Sequence, residues 1–147
     1  MIKILYRGKR IDNGEWVEGN LYEAKISGCY ILVSYMKTSE RNRFLMEDAF
    51  TVYEIDPKTL CQYICLNDKK LHRIWENDII FINTYDYNEP AEDFFGQVVY
   101  VEAWACWCIK QPGENKPIPL YECQGSYLTE ITVEGNIFDN PEMMEVN

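Results

Sequence analysis

Nowhere in this 147-residue chain does a helical hydrophobic period persist over a long window. What recurs is apolar–polar alternation in short runs, each cut off by turn residues. That pattern predicts many short strands and an all-β domain, built as a sandwich or a barrel, with at most minor helices. Ile2, Ile4 and Tyr6 alternate with Lys3, Leu5 and Arg7 and read as a first strand. Asp12-Asn13-Gly14 supplies hairpin chemistry, because Asn-Gly accepts a positive φ. The chain returns from Trp16 to Tyr22, with Gly19 marking a bulge or a close backbone approach. Cys29 to Tyr35 is a continuous apolar run of strand length, and Phe50 to Ile55 alternates again.

Pro57 ends that alternation and forces the preceding residue into an extended conformation. Thr59 to Leu66 fits a short strand or a turn of helix, and Asp68-Lys69-Lys70 a turn. Ile74-Trp75, Glu76-Asn77-Asp78 and Ile79 to Ile82 then read as strand, tight turn, strand. Residues 37–46 and 83–94 are polar and are expected to be loops. A further strand begins at Phe95-Gly96-Gln97, and Trp104 to Ile109 continues it or turns back. A Pro-rich loop from Pro112 to Pro119 precedes last strands at Leu120 to Tyr127 and Ile131 to Val133. Asn140 followed by Pro141 has the form of a helix start, with Asn140 as the cap.

Charge narrows the function classes. Fourteen Lys and Arg stand against 24 Asp and Glu, a net charge of −10. Such a surface repels phosphate and disfavours nucleic acid, while leaving room for a local basic patch. Arg7, Lys9, Arg10, Lys70 and Arg73 are the candidates for one, with Lys69 and His72 beside the second cluster; solvated strand ends and turns account for the same residues equally simply. No signal-peptide core and no apolar run of membrane-spanning length occurs, which points to the cytoplasm and no membrane partner. There the six cysteines are expected to be reduced thiols. Cys61-x3-Cys65 and Cys106-x-Cys108 do not have the paired spacing of a zinc ribbon, so no metal and no cofactor is expected. Cys106 and Cys108, two apart on a strand, share one face.

Catalytic chemistry has few footholds. Glu76, Asp78 and the sole histidine, His72, could form an acid–base or cation-holding set. The plainer reading makes Asp78 a turn residue that accepts backbone N–H bonds. One histidine leaves few options for a nucleophile triad, and no Gly-rich phosphate cradle is present. Asp86, Glu89, Glu92 and Asp93 form the most acidic stretch, a solvated loop or a surface for a basic partner. Trp16, Trp75, Trp104 and Trp107 are expected in the core or at its rim, and a surface aromatic pocket for a peptide is the sharper alternative.

Four ordered segments resemble the YopX-like protein family of phages, prophages and bacterial mobile elements. They are Tyr6-Arg-Gly-Lys with Glu15-Trp-Val-Glu-Gly-Asn-Leu-Tyr22; Ile55-Asp-Pro-Lys-Thr-Leu-Cys-Gln-Tyr63; Ile74-Trp-Glu-Asn-Asp-Ile-Ile80; and Val133-Glu-Gly-Asn-Ile-Phe-Asp-Asn-Pro-Glu142. Three departures stand out: Ile64-Cys65 replaces a Thr-Gly pair, Asn77 replaces a turn glycine, and Glu134 replaces an aliphatic residue. The resemblance implies an all-β fold with small SH3-like barrel character over residues 1–147, divisible into an N-terminal β subdomain of about 1–56 and a C-terminal barrel of about 57–147. It carries no assigned activity, and a shared fold would not supply one. The expectation is a non-enzymatic accessory protein of a prophage or mobile element that binds another protein or itself. A nucleic-acid-binding small barrel is the alternative, and a metal-dependent hydrolase built on Glu76, Asp78 and His72 stands third.

Overall fold

The computed structural model describes residues 2–24, 29–35, 50–85, 92–123 and 128–146. The expected loop 37–46 lies outside them. The chain forms two compact units, Met1–Tyr63 and Ile64–Asn147. Both are antiparallel β structures, as the period-two pattern implied.

In the first unit, β1 (Tyr6–Lys9), β2 (Trp16–Ala24), β3 (Cys29–Tyr35) and β4 (Phe50–Ile55) follow one another as a meander, and β5 (Cys61–Asn67) begins on the far side of β1. The strand order is therefore β4-β3-β2-β1-β5. The Asn13-Gly14 turn closes the first hairpin with Gly14 at φ 72°. Its register pairs Tyr6 with Gly19 and Lys9 with Trp16. Gly19 is thus a regular ladder position, not a bulge. The ladder ends at Tyr6, so Ile2 and Ile4 precede the strand that their alternation suggested and stand 82% and 64% exposed.

The sheet curls enough for Arg10, just past β1, to bridge Ile55 at the end of β4. Gly8 lies under that curl: a Cβ there would meet Ile55 Cδ1 at 2.5 Å. Ile55 and Cys61 are fully enclosed. Asp56 then starts a 3-10 turn over Pro57–Thr59, its carboxylate accepting from Lys58 N at 3.0 Å. Thr59 Oγ1 accepts from Lys9 N at 2.8 Å and ties that turn to β1.

β5 runs on into the second unit, where β6 (Arg73–Trp75) lies beside it. The main sheet there has the order β10-β9-β8-β7-β11, with β7 (Asp78–Tyr85), β8 (Glu92–Val101), β9 (Cys106–Lys110), β10 (Ile118–Pro119) and β11 (Leu128–Asn136). Ile64, Ile74, Ile80, Ile82, Val98, Ile109 and Leu120 form its core. Each such side chain contributes about 1.5–3 kcal/mol when fully buried. Gly96 is required by close packing, since a Cβ would strike the carbonyl of Lys110 on β9. Neither sheet is a closed barrel among the described residues; both orders have free ends. The barrel expectation is corrected to that extent, while the all-β class stands.

Three local expectations also change. The polar stretch 83–94 contributes Tyr85 and Glu92 to strands, because Asn83, Thr84 and Asp93 keep their backbone in the ladder with β7's neighbours. The ladder depends on backbone groups, so polar side chains on one face do not end it. Residues 86–91, with Asp86 and Glu89, lie outside the described set. Leu120–Cys123 is one turn of α-helix, α1, and not a strand. Leu120 and Cys123 are three apart and both buried, which is a helical spacing. Finally, Pro141–Met144 is a 3-10 turn, but Asn140 makes no side-chain cap to it; its Oδ1 accepts from Asn136 N at 3.3 Å instead.

Among the described residues four non-glycine residues have positive φ: Cys65 (65°), Leu71 (67°), Asn77 (67°) and Ala105 (51°). Cys65 and Asn77 occupy the two places where the resembling pattern has glycine. The backbone conformation survives the loss of glycine, at a cost of roughly 1–2 kcal/mol for an ordinary side chain. Asn tolerates this region better than Cys. Cys65 is exposed, so its side chain does not offset the strain by filling a core. Cys65→Gly is therefore expected to raise unfolding stability by about 0.5–1 kcal/mol, the strain relieved less the extra entropy of an unfolded glycine. Urea unfolding of the variant beside the wild type measures it, and a lower midpoint would contradict the account.

Candidate functional site

The three residues of the acid–base set do not share a centre. Asp78 is buried at the first position of β7, and its Oδ2 accepts from Trp75 N at 2.8 Å across the turn. It is a turn-closing carboxylate. Glu76 is half-buried in that same turn. Asn77 between them donates its N–H to Val98 O at 2.9 Å, and its Oδ1 accepts from Gln97 Nε2 at 2.8 Å. His72 is bonded to Asp68 and to neither Glu76 nor Asp78.

Asp68 was read only as a turn residue, yet its carboxylate gathers donors from the turn before β6 and from β11. Its side chain is fully enclosed. Oδ1 accepts from Lys70 N at 2.8 Å and His72 N at 2.9 Å, and Oδ2 from Val133 N at 3.3 Å. His72 Nδ1 lies 3.3 Å from Oδ2, with its ring largely in solvent. Burial pushes the carboxyl upward in pKa, but the N–H groups of His72, Val133 and Lys70, with the His72 ring, outweigh it and hold the group below its ordinary range.

The basic candidates also separate. Arg7 and Lys9 alternate onto one face of β1 and both lie over the Trp16 ring, at 4.5 and 5.4 Å from its centre. Arg10 falls on the other face, stacks over Tyr53 at 5.1 Å, and is ion-paired with Asp12. Lys70 and Arg73 belong to the second unit, in the turn after Asp68 and on β6. Among the described residues no three His, Cys, Asp or Glu side chains converge as a metal-holding group.

A cleft of about 620 Å³ lies in the second unit, between the start of β8, the turn after it, and the β10–α1 segment. Phe94, Trp104, Ile118, Pro117, Pro119 and Tyr121 supply its apolar and aromatic wall, while Lys116 and Glu122 line it with opposite charges. Trp104 is 46% exposed and Tyr121 66%. Two large aromatic rings are thus held at the surface. Trp104 is there because residues 102–104 form a 3-10 turn that ends on the left-handed Ala105 and reverses the chain from β8 into β9. Cys123 lines the cleft but is itself buried, and burial, followed by the charge of Glu122, pushes its thiol up to about 11. It is a neutral thiol near neutral pH, the opposite of an activated nucleophile.

Sequence reasoning placed the four tryptophans together as core or rim. Only Trp75 is core; Trp16 and Trp107 are half-buried and Trp104 faces outward. The signal for the cleft was the Pro-rich segment running into Leu120-Tyr121, where alternating prolines hold the chain extended before one helical turn.

A family model described as YopX protein matches residues 5–145, nearly the whole chain. None of the curated proteins matches it. No helix among the described residues is long and apolar enough to cross a membrane.

Asp68 has a pH signature. Its folded pKa is depressed, so the stability it lends is complete above the ordinary carboxylate range of about 4 and drains away as pH falls through the folded value. Asp68→Asn is expected to cost about 1–3 kcal/mol at neutral pH, because an amide cannot accept from every N–H that faces it. Its unfolding midpoint should also vary less than the wild type's between neutral pH and strong acid. Parallel acid titrations of both proteins by circular dichroism check this; equal pH profiles would refute it.

Proposed function

The chain belongs to the YopX protein family, and from that premise we propose that it is a non-enzymatic protein-binding module of a phage or other mobile element, working in the bacterial cytoplasm, with the cleft beside Trp104 and Tyr121 as its binding surface. The observation that carries this reading is the pair of exposed aromatic rings at the mouth of a Pro-lined cleft. A Trp and a Tyr give large contact area at little entropic cost, and both are enriched where binding energy concentrates. Grooves of aromatic and proline residues suit an extended peptide.

Charge supplies the partner's chemistry. The chain carries a net −10. Glu122 lines the cleft, Glu102 shares the Trp104 turn, and exposed Asp93 precedes Phe94 on β8. The occupant is a basic, extended segment of another protein, drawn in by long-range attraction and held by the aromatic wall. Selection from a displayed peptide library should return basic sequences whose affinity falls tenfold or more in Trp104→Ala and Tyr121→Ala, and weakens with salt. The exposed Lys58→Ala, in the first unit, serves as control. Selected peptides that bind the cleft variants as well as the wild type would overturn the reading.

A second reading rests on Arg7 and Lys9 over Trp16, two cations on one ring in an otherwise acidic chain. Such a strip could track a single-stranded nucleic acid backbone. Fluorescence anisotropy with labelled single-stranded DNA at low salt decides it: binding lost in the Arg7→Ala, Lys9→Ala double variant supports this reading, and no binding at low salt removes it.

A further inference from the structure

β9 opens with two cysteines that the binding cleft does not use. Cys106 and Cys108 project from the same face of the strand, with Sγ atoms 3.7 Å apart. Cys106 is half-buried, and Cys108 is fully enclosed behind it. β9 is paired along its whole length with β8, from Val101–Cys106 to Gln97–Lys110. On its other edge β10 reaches only Cys108 and Ile109. Cys106 is thus the first residue of the strand, free of β10 and preceded by the left-handed Ala105. It can shift toward Cys108 without breaking the β9–β10 pairing.

We propose that Cys106 and Cys108 form a two-electron redox site, a dithiol that closes into an intrastrand disulfide at the expense of a low-molecular-weight disulfide. The thiolate of Cys106, the accessible partner, attacks one sulfur of the oxidant. This forms a mixed disulfide and expels one thiolate. The Cys108 thiol then gives up its proton to solvent and attacks Cys106 Sγ, expelling the second thiolate. Two protein thiols are oxidised and one disulfide is reduced to two thiols, so atoms and electrons balance.

Geometry sets the character of the bond. Strand rise separates residues two apart by about 6.6 Å between Cα atoms, at the outer edge of the roughly 4.4–6.8 Å that a disulfide spans. The product is strained, and strained disulfides are the readily reduced, labile ones. The order of attack follows from burial. Burial first, then its bond to Cys106 and the nearby charges of Cys106, Cys123 and Glu122, push the Cys108 thiol up to about 12. Cys108 therefore closes the bond and does not open the reaction, and closure quickens as pH rises. Cys123 is the competing partner, since it influences Cys108 from nearby.

The full chain, reduced and then exposed to oxidised glutathione, tests this by alkylation, intact mass and peptide mapping. In the wild type, peptide mapping should show Cys106 and Cys108 both lost to alkylation and bonded to each other, with closure faster at higher pH, whatever adduct the exposed Cys65 takes up. Cys108→Ser should stop at a glutathione adduct on Cys106. Should that variant fail to fold, the wild type gives the answer alone: phenylarsine oxide, which needs two neighbouring thiols, should protect the pair from oxidation. A bond mapped to Cys108 and Cys123, a mixed disulfide that persists on Cys106 in the wild type, or Cys106 and Cys108 left as free thiols would each overturn the proposal.

Discussion

Two enclosed carboxylates hold the second unit in register. β6 is three residues long, too short to define its own position, and it lies between a turn that begins on buried Asp68 and one that ends on buried Asp78. Asp68 gathers the backbone N–H groups of Lys70, His72 and Val133, which belong to the turn before β6 and to β11. Asp78 takes the N–H of Trp75 at the end of β6. Burying an ionised carboxylate is costly unless donors surround it. Here the donors are backbone groups that would otherwise need partners of their own, so one side chain satisfies several groups together. Ile74 and Trp75, between the two anchors, are delivered to the interior as a consequence.

The same economy explains why these residues allow both an acid–base reading and a turn reading in sequence. An acidic pair around a tight turn with a histidine upstream is what an acid–base site would show. It is equally what two consecutive Asx-type turns show. The distinction lies in what the carboxylate oxygens face, and that depends on whether the backbone turns back toward the side chain. At Asp68 and Asp78 it does, assisted by positive φ at Leu71 and Asn77. For Asp78 the bond to a main-chain donor was legible as the plainer reading; for Asp68, read only as part of a turn, the several N–H groups that it gathers were not.

Legibility elsewhere followed the same division. Strands whose identity depends on period-two burial, such as Phe50–Ile55 and Ile79–Ile82, could be read directly, as could the hairpin at Asn13-Gly14. Segments whose state depends on a neighbour's backbone could not. Ile2 and Ile4 alternate perfectly yet lie beyond the end of the ladder, and Thr84 is polar yet paired on both sides. Leu120 and Cys123 fit a helical turn only once the Pro-rich segment ahead of them is known to arrive extended. Of the candidate basic residues, Arg7 and Lys9 lie over one ring, as their spacing of two on a strand allows. Arg10, their neighbour, was parted from them by the alternation of the strand and neutralised by Asp12.

The cleft and the cysteine pair both descend from one chain reversal. The 3-10 turn at Glu102–Trp104 and the left-handed Ala105 fold β9 back on β8, and they do so without burying the Trp104 ring. A side chain of that size left at 46% exposure costs apolar contact with water that packing elsewhere must offset. Single exposed apolar residues are ordinary. Trp104 is not single: Tyr121 stands across a concave wall of Phe94, Pro117 and Pro119. The reversal places aromatic surface outside and, one residue past Ala105, sets Cys106 where β10 no longer reaches. The connection between β8 and β9 thus carries an exposed ring of the cleft, as expected where a rigid sheet holds its binding groups on its connections.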